Sequence, residues 1–178
     1  MNLYILRHAS AGLRRSNPLL DIKRPQDKEG KKHCLQLAYV LNALNIQFDF
    51  IVSSPLKRCL QTASLIGTET GYEAQILQST ALSPSATFKE FQQLLHEFAD
   101  RENVLVVGHN PNITTFLGAL LVPPGTPTTP TVRLRKGSLA RVTTGRGTAM
   151  LQTVLDPRIV RALYATSTKS SRRKTSRK

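Results

Sequence analysis

Apolar residues in this chain occur in two kinds of segment. Short uninterrupted apolar runs occupy 3–6, 50–52 and 104–107, and in the segments that follow them apolar residues recur every three or four positions. Uninterrupted runs of this length are typical of strands buried on both faces of a parallel sheet, and the wider spacing is typical of amphipathic helices. Strands that alternate with helices predict an α/β fold.

Capping residues and chain breakers delimit these segments. Asp27 is a suitable N-cap for a helix that runs to about Leu44, and the clearest amphipathic pattern lies at 88–98. The predicted helices are 27–44, 55–66, 88–98 and 111–121, and the predicted strands are 3–7, 50–53, 75–78, 104–107, 132–143 and 148–155. We therefore predict a three-layer α/β/α domain with a mostly parallel, doubly wound sheet.

Basic and polar side chains follow three of the predicted strands. Arg7 and His8 end the first strand, and His109 follows the strand at 104–107. Arg58 lies one turn into the helix after the second strand, off its apolar stripe, so packing does not explain it. Because the carboxyl ends of parallel strands meet at one edge of a sheet, these side chains are expected to lie close together.

Two helix N-termini are predicted at the same edge. Ser54 and Asn110 are suitable N-caps, and each is followed by a proline that suits the first helical turn. Helix N-termini offer free N–H groups and a partial positive charge, which favour anions. The combination predicts a phosphate pocket that contains a histidine able to act as a nucleophile.

These motifs resemble those of the histidine phosphatase superfamily, the phosphoglycerate-mutase-like proteins. The segments that carry the resemblance are 6–9, 53–63 and 107–111, with 21–25 and 82–84 similar to its small phosphohistidine phosphatase (SixA-type) branch. The resemblance covers roughly residues 1–156. It implies a phosphoglycerate-mutase-like fold for the predicted layers.

The chemistry of the four side chains agrees with the roles that the resemblance implies. A neutral His8 attacks phosphorus and forms a phosphohistidine intermediate, which water then hydrolyses. Arg7 and Arg58 grip the phosphoryl oxygens, and a protonated His109 stabilises charge as the group moves. No cluster of His, Cys and carboxylate residues has the spacing of metal ligands, so neither a metal nor another cofactor is expected.

The chain departs from the family pattern at three places. Ala9 stands where the family usually has glycine, which would strain the backbone if that position required a positive φ. The loop around Arg24 differs from that of the short branch; we consider Arg24 as an additional phosphate contact, with a plain surface arginine as the alternative, and Asn110 as a second additional contact. Most importantly, the segment 77–87 has no acid, whereas larger members of the family carry a Glu or Asp proton donor there.

The lack of that acid bears on the substrate. An alkoxide leaving group needs a proton donor, whereas the imidazole of phosphohistidine leaves as a neutral molecule once its far nitrogen is protonated. The sequence therefore predicts a phosphohistidine phosphatase whose partner is a phosphohistidine-bearing protein such as a histidine-phosphotransfer domain. The alternatives are a phosphomonoesterase, with Glu73, Glu90 or another acid reaching the pocket, and a non-catalytic basic protein that binds phosphate groups.

Charge is concentrated at the end of the chain. The formal net charge is +14, and residues 157–178 contain eight Lys or Arg and no acid. We predict a domain at 1–156 and a basic, disordered tail at 157–178, which either binds acidic macromolecules or only keeps the protein in solution. No apolar run is long enough to span a membrane and no secretory signal is visible, so a cytoplasmic monomer is expected.

The remaining ionisable and sulfur-containing side chains are expected to have structural roles. His33 and His96 are predicted to lie on solvated helix faces, and Cys34 and Cys59 to be reduced thiols on apolar helix faces. The segment 136–138 resembles a turn of the short branch and is interpreted as structural.

Overall fold

The computed structural model of the protein describes residues 1–145 and 147–175, with side chains as far as residue 167. The strands are β1 (Asn2–Arg7), β2 (Phe50–Ser53), β3 (Leu77–Gln78), β4 (Asn103–Gly108), β5 (Leu139–Thr143) and β6 (Met150–Leu155). The helices are α1 (Pro18–Ile22), α2 (Lys28–Ala43), α3 (Lys57–Glu69), α4 (Phe88–Glu97), α5 (Asn112–Leu120) and α6 (Pro157–Thr175).

The six strands form one sheet in the order β3-β2-β4-β1-β5-β6. The first four are mutually parallel, and the last two add antiparallel at the β1 edge. Arg7 at the end of β1 pairs with Gly108 at the end of β4, so both strands end at the same edge of the sheet. The predicted mostly parallel α/β fold is confirmed.

Apolar side chains cover the sheet on both faces. On one face, β-strand residues pack with Leu37 and Leu41 of α2, Ile66 of α3 and Val160 of α6. On the other face, Phe91 of α4 stacks on Phe116 of α5, with ring centroids 5.0 Å apart. The sheet is therefore the middle of three layers, and it holds the carboxyl ends of its parallel strands rigidly.

Two segments differ from the sequence-based prediction for local reasons. The loop before Asp27 contains α1, whose exposed leucines form no apolar stripe; Asn17 caps it by accepting from the Leu19 N–H. The strand predicted at 132–143 is formed only at Leu139–Thr143. The preceding residues make a turn instead, with Gly137 at φ +80° and the Ser138 N–H donating to the Arg135 carbonyl.

The prediction that residues 157–178 form a disordered tail is wrong for much of that segment. Its backbone forms α6 from Pro157 to Thr175, which packs against α2. Val160 is fully buried, and Tyr164 meets Tyr39 of α2 edge-on with ring centroids 5.2 Å apart. An apolar pair one turn apart therefore anchors the helix despite its basic composition. The predicted disorder of 176–178 lies outside the described residues.

Two smaller expectations are also settled. Cys34 and Cys59 are free and buried, as predicted. Ala9 is fully buried and is not among the residues with positive φ, so the replacement of glycine does not strain the backbone there.

Within 1–145 and 147–175, no helix combines the length and the apolar character needed to cross a bilayer.

Candidate active site

The ends of β1, β2 and β4 bring the predicted site residues together. The His8 N–H donates to the Gly108 carbonyl (3.1 Å), and the Ser54 N–H donates to the Val107 carbonyl (2.9 Å). These bonds extend the parallel pairing just beyond the strands. As a result the imidazole rings of His8 and His109 lie with their centroids 5.1 Å apart.

His8 is oriented for nucleophilic attack. Its Nδ1 lies 2.8 Å from the Ala9 carbonyl oxygen, which is only an acceptor, so Nδ1 carries the hydrogen and Nε2 keeps its lone pair. Burial, followed by the positive charges of Arg58, Arg7 and Arg24, lowers the pKa of His8 to about 3. The ring is therefore neutral near pH 7, the form that a nucleophile requires.

His109 lies on the opposite side of the site and contacts Ser54. Its Nε2 is 2.9 Å from the Ser54 Oγ and 3.3 Å from the Cys59 Sγ. Burial, then the nearby positive charges, lowers the pKa of His109 to about 3. In these surroundings His109 is neutral near pH 7, so the protonated form expected from the sequence requires the negative charge of a bound phosphoryl group to raise its pKa.

Arg58 and Arg24 share one carboxylate. Asp21 accepts from the Arg24 Nε through Oδ1 (2.7 Å) and from the Arg58 Nη1 through Oδ2 (3.2 Å). Its backbone carbonyl also accepts from the Arg58 Nη1 (3.0 Å). The hydrogen bond from Arg24 is the first cause that lowers the pKa of Asp21 to about 2. Helix α1, which carries Asp21, thus fixes the position of both guanidinium groups.

Arg7 and Asn110 share a backbone acceptor. The Arg7 Nη1 and the Asn110 Nδ2 both donate to the Leu134 carbonyl, at 2.9 Å and 3.0 Å. Among the described residues, the buried Nε atoms of Arg7 and Arg58 have no hydrogen-bond acceptor. Guanidinium groups bind the oxygens of phosphoryl groups through several N–H donors, so the two arginines together favour an anion at this site.

The side chains converge on a cavity of about 1250 Å³. His8, His109 and the two arginines at the strand ends line it together with both of the additional candidates, Arg24 and Asn110. The Ser83–Ser85 part of its wall contains no acid. Among the described lining residues, the only carboxyl groups are those of Asp21 and Asp27.

Other acids considered from the sequence do not line this cavity. Glu90 belongs to the N-terminal cap of α4, where it accepts from the Thr87 N–H (2.6 Å), and Glu73 is an exposed residue outside the cavity lining. In the described part of the chain, no three His, Cys, Asp or Glu side chains are grouped closely enough to hold a metal ion.

His33 supports the site from behind, contrary to the solvated position predicted for it. It is buried on α2, and its Nε2 lies 2.8 Å from the Gly137 carbonyl. The Gly137 N–H in turn donates to the carbonyls of Arg7 (3.0 Å) and His8 (3.1 Å). The turn before β5 therefore connects α2 to the nucleophile. In the sequence, the glycine after Lys136 indicated a turn, but the helical periodicity of α2 does not indicate that His33 contacts this turn.

Comparison with known proteins identifies the family. The sequence model of the histidine phosphatase superfamily (branch 1) matches residues 3–82, which include His8 and Arg58. An uncharacterised protein of Picosynechococcus sp. is 31% identical over 123 aligned positions, and the match covers 67% of this chain and 73% of that protein. The chain belongs to the histidine phosphatase superfamily.

Two solved structures share the fold of this chain. The protein histidine phosphatase SixA, complexed with tungstate, matches with a TM-score of 0.76 and 22% identity over 88% of this chain and 97% of SixA. A mycobacterial glucosyl-3-phosphoglycerate phosphatase in complex with VO3 matches with a TM-score of 0.65 and 18% identity over 85% of this chain and 97% of its own. The protein thus has the fold that these two phosphatases share.

Proposed function

We propose that the protein hydrolyses phosphohistidine on a phosphorylated partner protein, through a phosphohistidine intermediate on its own His8. The observation that carries this proposal is the state of the acids around the nucleophile. Asp21 and Asp27, the two carboxyl groups among the described lining residues, both have pKa values below the usual range. Asp21 is held ionised by Arg24, and Asp27 by hydrogen bonds from the Gly30 N–H and the Ser10 hydroxyl.

The first chemical step suits a site without a carboxylic acid that could protonate the leaving group. The lone pair on His8 Nε2 forms a bond to phosphorus while the bond from phosphorus to the substrate imidazole breaks. The substrate ring, already protonated on its far nitrogen, departs as neutral imidazole. Positive charge that develops on the His8 ring is stabilised by its Nδ1–H, which donates to the Ala9 carbonyl.

The second step returns the enzyme to its starting state. Water attacks the phosphorus on His8, the bond from phosphorus to Nε2 breaks, and inorganic phosphate leaves. Arg7 and Arg58, whose Nε atoms are buried without acceptors among the described residues, hold the phosphoryl oxygens in both steps. His109 takes up a proton when the phosphoryl group is bound, and it then adds a positive charge to the transition state.

A phosphomonoesterase is the second candidate. It is favoured by the fold shared with the glucosyl-3-phosphoglycerate phosphatase and by the position of Asp21 inside the cavity. An ester substrate requires a proton donor for its alkoxide leaving group, and a carboxyl group can act as that donor near pH 7 only if its pKa is raised. The pKa of about 2 at Asp21 opposes that role.

The nucleophile is tested by trapping the intermediate. Wild-type protein mixed with ³²P-labelled phosphohistidine substrate and quenched in alkali is expected to carry the label on His8. The His8→Ala variant should carry no label and should lose activity by at least about a thousandfold. Labelling of another residue, or full activity in His8→Ala, would refute the mechanism.

The substrate class is tested by comparing kcat/KM for phosphohistidine, an aryl phosphate and a sugar phosphate. We expect that order of decreasing activity, because the leaving groups become progressively more basic. In the Asp21→Asn variant all three values should fall by a similar factor, since the loss affects the position of Arg58 and not a proton donor. A selective fall for the sugar phosphate, or a wild-type preference for it, would favour the phosphomonoesterase.

A further inference from the structure

A second, smaller cavity of about 550 Å³ adjoins the catalytic one. Arg7, Asn110 and Lys136 line both cavities, so the two cavities are direct neighbours at these three side chains. The backbone carbonyl of Leu134, which lines the second cavity, accepts from both Arg7 and Asn110 and so holds these two side chains at the boundary. A substrate whose phosphoryl group lies at His8 thus has a direct route into the second cavity.

The lining of the second cavity is strongly basic. Its cations come from the end of β1, from the segment before β5 and from the first turns of α6, and its acids are Glu29 and Asp156. Asp156 is already paired, with the Arg135 Nε (3.3 Å) and the Arg158 Nε (3.1 Å). Among the described residues, Arg133, Arg161 and Lys136 form no ion pair and no side-chain hydrogen bond. The cavity therefore has an excess of cations available for an anion.

We propose that this cavity is a subsite for carboxylate groups that flank the phosphohistidine on the partner protein. The inference rests on the proposed function and adds the chemistry that the partner must present: acidic side chains beside the phosphorylated histidine. Arg133 and Arg161 are exposed, which favours binding from a macromolecular surface. The phosphoryl oxygens remain with Arg7 and Arg58, while the flanking carboxylates pair with Arg133, Arg161 and Lys136.

The other chemistry that cations of this kind attract is nucleic acid. Tyr, Phe and His are not among the described residues that line the second cavity, so bases would find no aromatic ring there on which to stack. Carboxylates beside a phosphorylated side chain require only cations that lie close enough to form ion pairs. An acidic protein surface therefore fits the subsite better.

The test uses the full-length protein and three small substrates. These are free phosphohistidine that is N-acetylated and C-amidated so that it has no carboxylate, a phosphohistidine peptide with glutamate on both sides and the same peptide with glutamine on both sides. Wild-type protein is expected to have a KM for the glutamate peptide about fivefold below that for the glutamine peptide, as two exposed ion pairs allow, with similar kcat. Raising the salt concentration should reduce this difference, because exposed charges are screened.

The double variant Arg133→Gln/Arg161→Gln is expected to lose the preference for the glutamate peptide and to keep wild-type kcat and KM with free phosphohistidine. A matched control, Lys89→Gln/Arg101→Gln, removes the same charge from exposed positions that line neither cavity, and should keep the preference. The subsite could instead bind the carboxylate of a small metabolite, and 3-phosphoglycerate tests that alternative. The inference would be overturned if hydrolysis of 3-phosphoglycerate depended on Arg133 and Arg161 while the protein showed no preference between the two peptides.

The remaining outcomes separate the two proposals. If wild-type protein hydrolyses free phosphohistidine but treats both peptides alike, the subsite is refuted and the proposed function stands. If it does not hydrolyse free phosphohistidine or either peptide, the proposed function is refuted, and the inference with it. An equal loss of preference in the control variant would show that only the overall charge matters, which also refutes the subsite.

Discussion

His8 and His109 are ionisable side chains that the fold keeps neutral. Both are buried near Arg58 and Arg24, and both have a pKa of about 3. Neutrality at His8 supplies the lone pair for attack, and neutrality at His109 leaves a group that can accept a proton when an anion binds. Burial and the nearby arginines, which suit the site to phosphate, therefore also oppose protonation of His8 and His109 in the folded protein.

The first consequence is a loss of stability in mild acid. The unfolded chain binds protons at its histidines below about pH 6.5, but the folded protein does not do so at His8 and His109 until about pH 3. The free energy of unfolding should therefore fall as the pH is lowered from 7 to 5, by about 2 kcal/mol for each of these histidines. Urea denaturation at the two pH values measures this change.

A pair of variants isolates the contribution of the two histidines. In His8→Asn/His109→Asn the acid-induced loss should shrink, whereas His96→Asn, which changes an exposed histidine, should behave like the wild type. An unchanged loss in the double variant would show that other groups cause the acid sensitivity.

At the scale of elements, α2 and the turn before β5 hold the end of β1 in place. His33 on α2 contacts the Gly137 carbonyl, and the Gly137 N–H reaches the carbonyls of Arg7 and His8. Gly137 has φ +80°, and a Cβ at this position would collide with the ring of His33. The nucleophile is thus positioned by an element that lies outside the cavity.

The second consequence concerns this link. Replacing His33 by alanine leaves the Gly137 carbonyl without its buried partner, which should lower stability by about 1–3 kcal/mol. Because His33 positions His8 and does not line the cavity, kcat should fall while KM changes little. Steady-state kinetics with free phosphohistidine and thermal denaturation measure the two effects.

Two further variants test the interpretation. His33→Gln keeps an N–H donor and should recover part of the lost kcat, whereas Gly137→Ala should be at least as damaging as His33→Ala because of strain and collision. A rise in KM with unchanged kcat in His33→Ala would contradict a positioning role.

At the scale of the whole molecule, the first turns of the basic C-terminal segment are part of the folded domain. Val160 completes the core between α2 and α6, and Tyr164 packs on Tyr39. The first turns of α6 also supply cations to the second cavity. The rest of the segment adds positive charge that, we propose, attracts acidic macromolecules.

The third consequence is a difference between two truncations. A chain that ends at Thr168 keeps the packed turns and should hydrolyse free phosphohistidine within about twofold of the full-length rate, since it loses only a terminal segment. A chain that ends at Asp156 loses Val160 from the core and should be destabilised by at least about 1.5–3 kcal/mol. Denaturation curves and initial rates compare the two.

The shorter deletion should affect only acidic macromolecules. Binding to an acidic protein or to DNA should weaken on removal of residues 169–178, and the difference should disappear at high salt. Loss of small-substrate activity in the chain that ends at Thr168 would show that the removed residues belong to the catalytic site.

The sequence by itself determined those features of the protein that depend on residues close together along the chain. Uninterrupted apolar runs indicated the parallel strands, and the residues just after them indicated His8 and His109, because a parallel sheet brings such positions to one edge. Arg58 stood out since packing did not account for it. Those inferences required only neighbouring positions along the chain.

The tertiary structure decided what depends on residues that are distant in sequence. The pairing of Asp21 with Arg24 and Arg58, and the contact of His33 with Gly137, join segments that no periodicity connects. The basic composition of 157–178 predicted disorder, but Val160 and Tyr164 pack the first turns of α6 against α2. Burial and charge pairing are properties of the folded surroundings, so the protonation states at the site became visible only there.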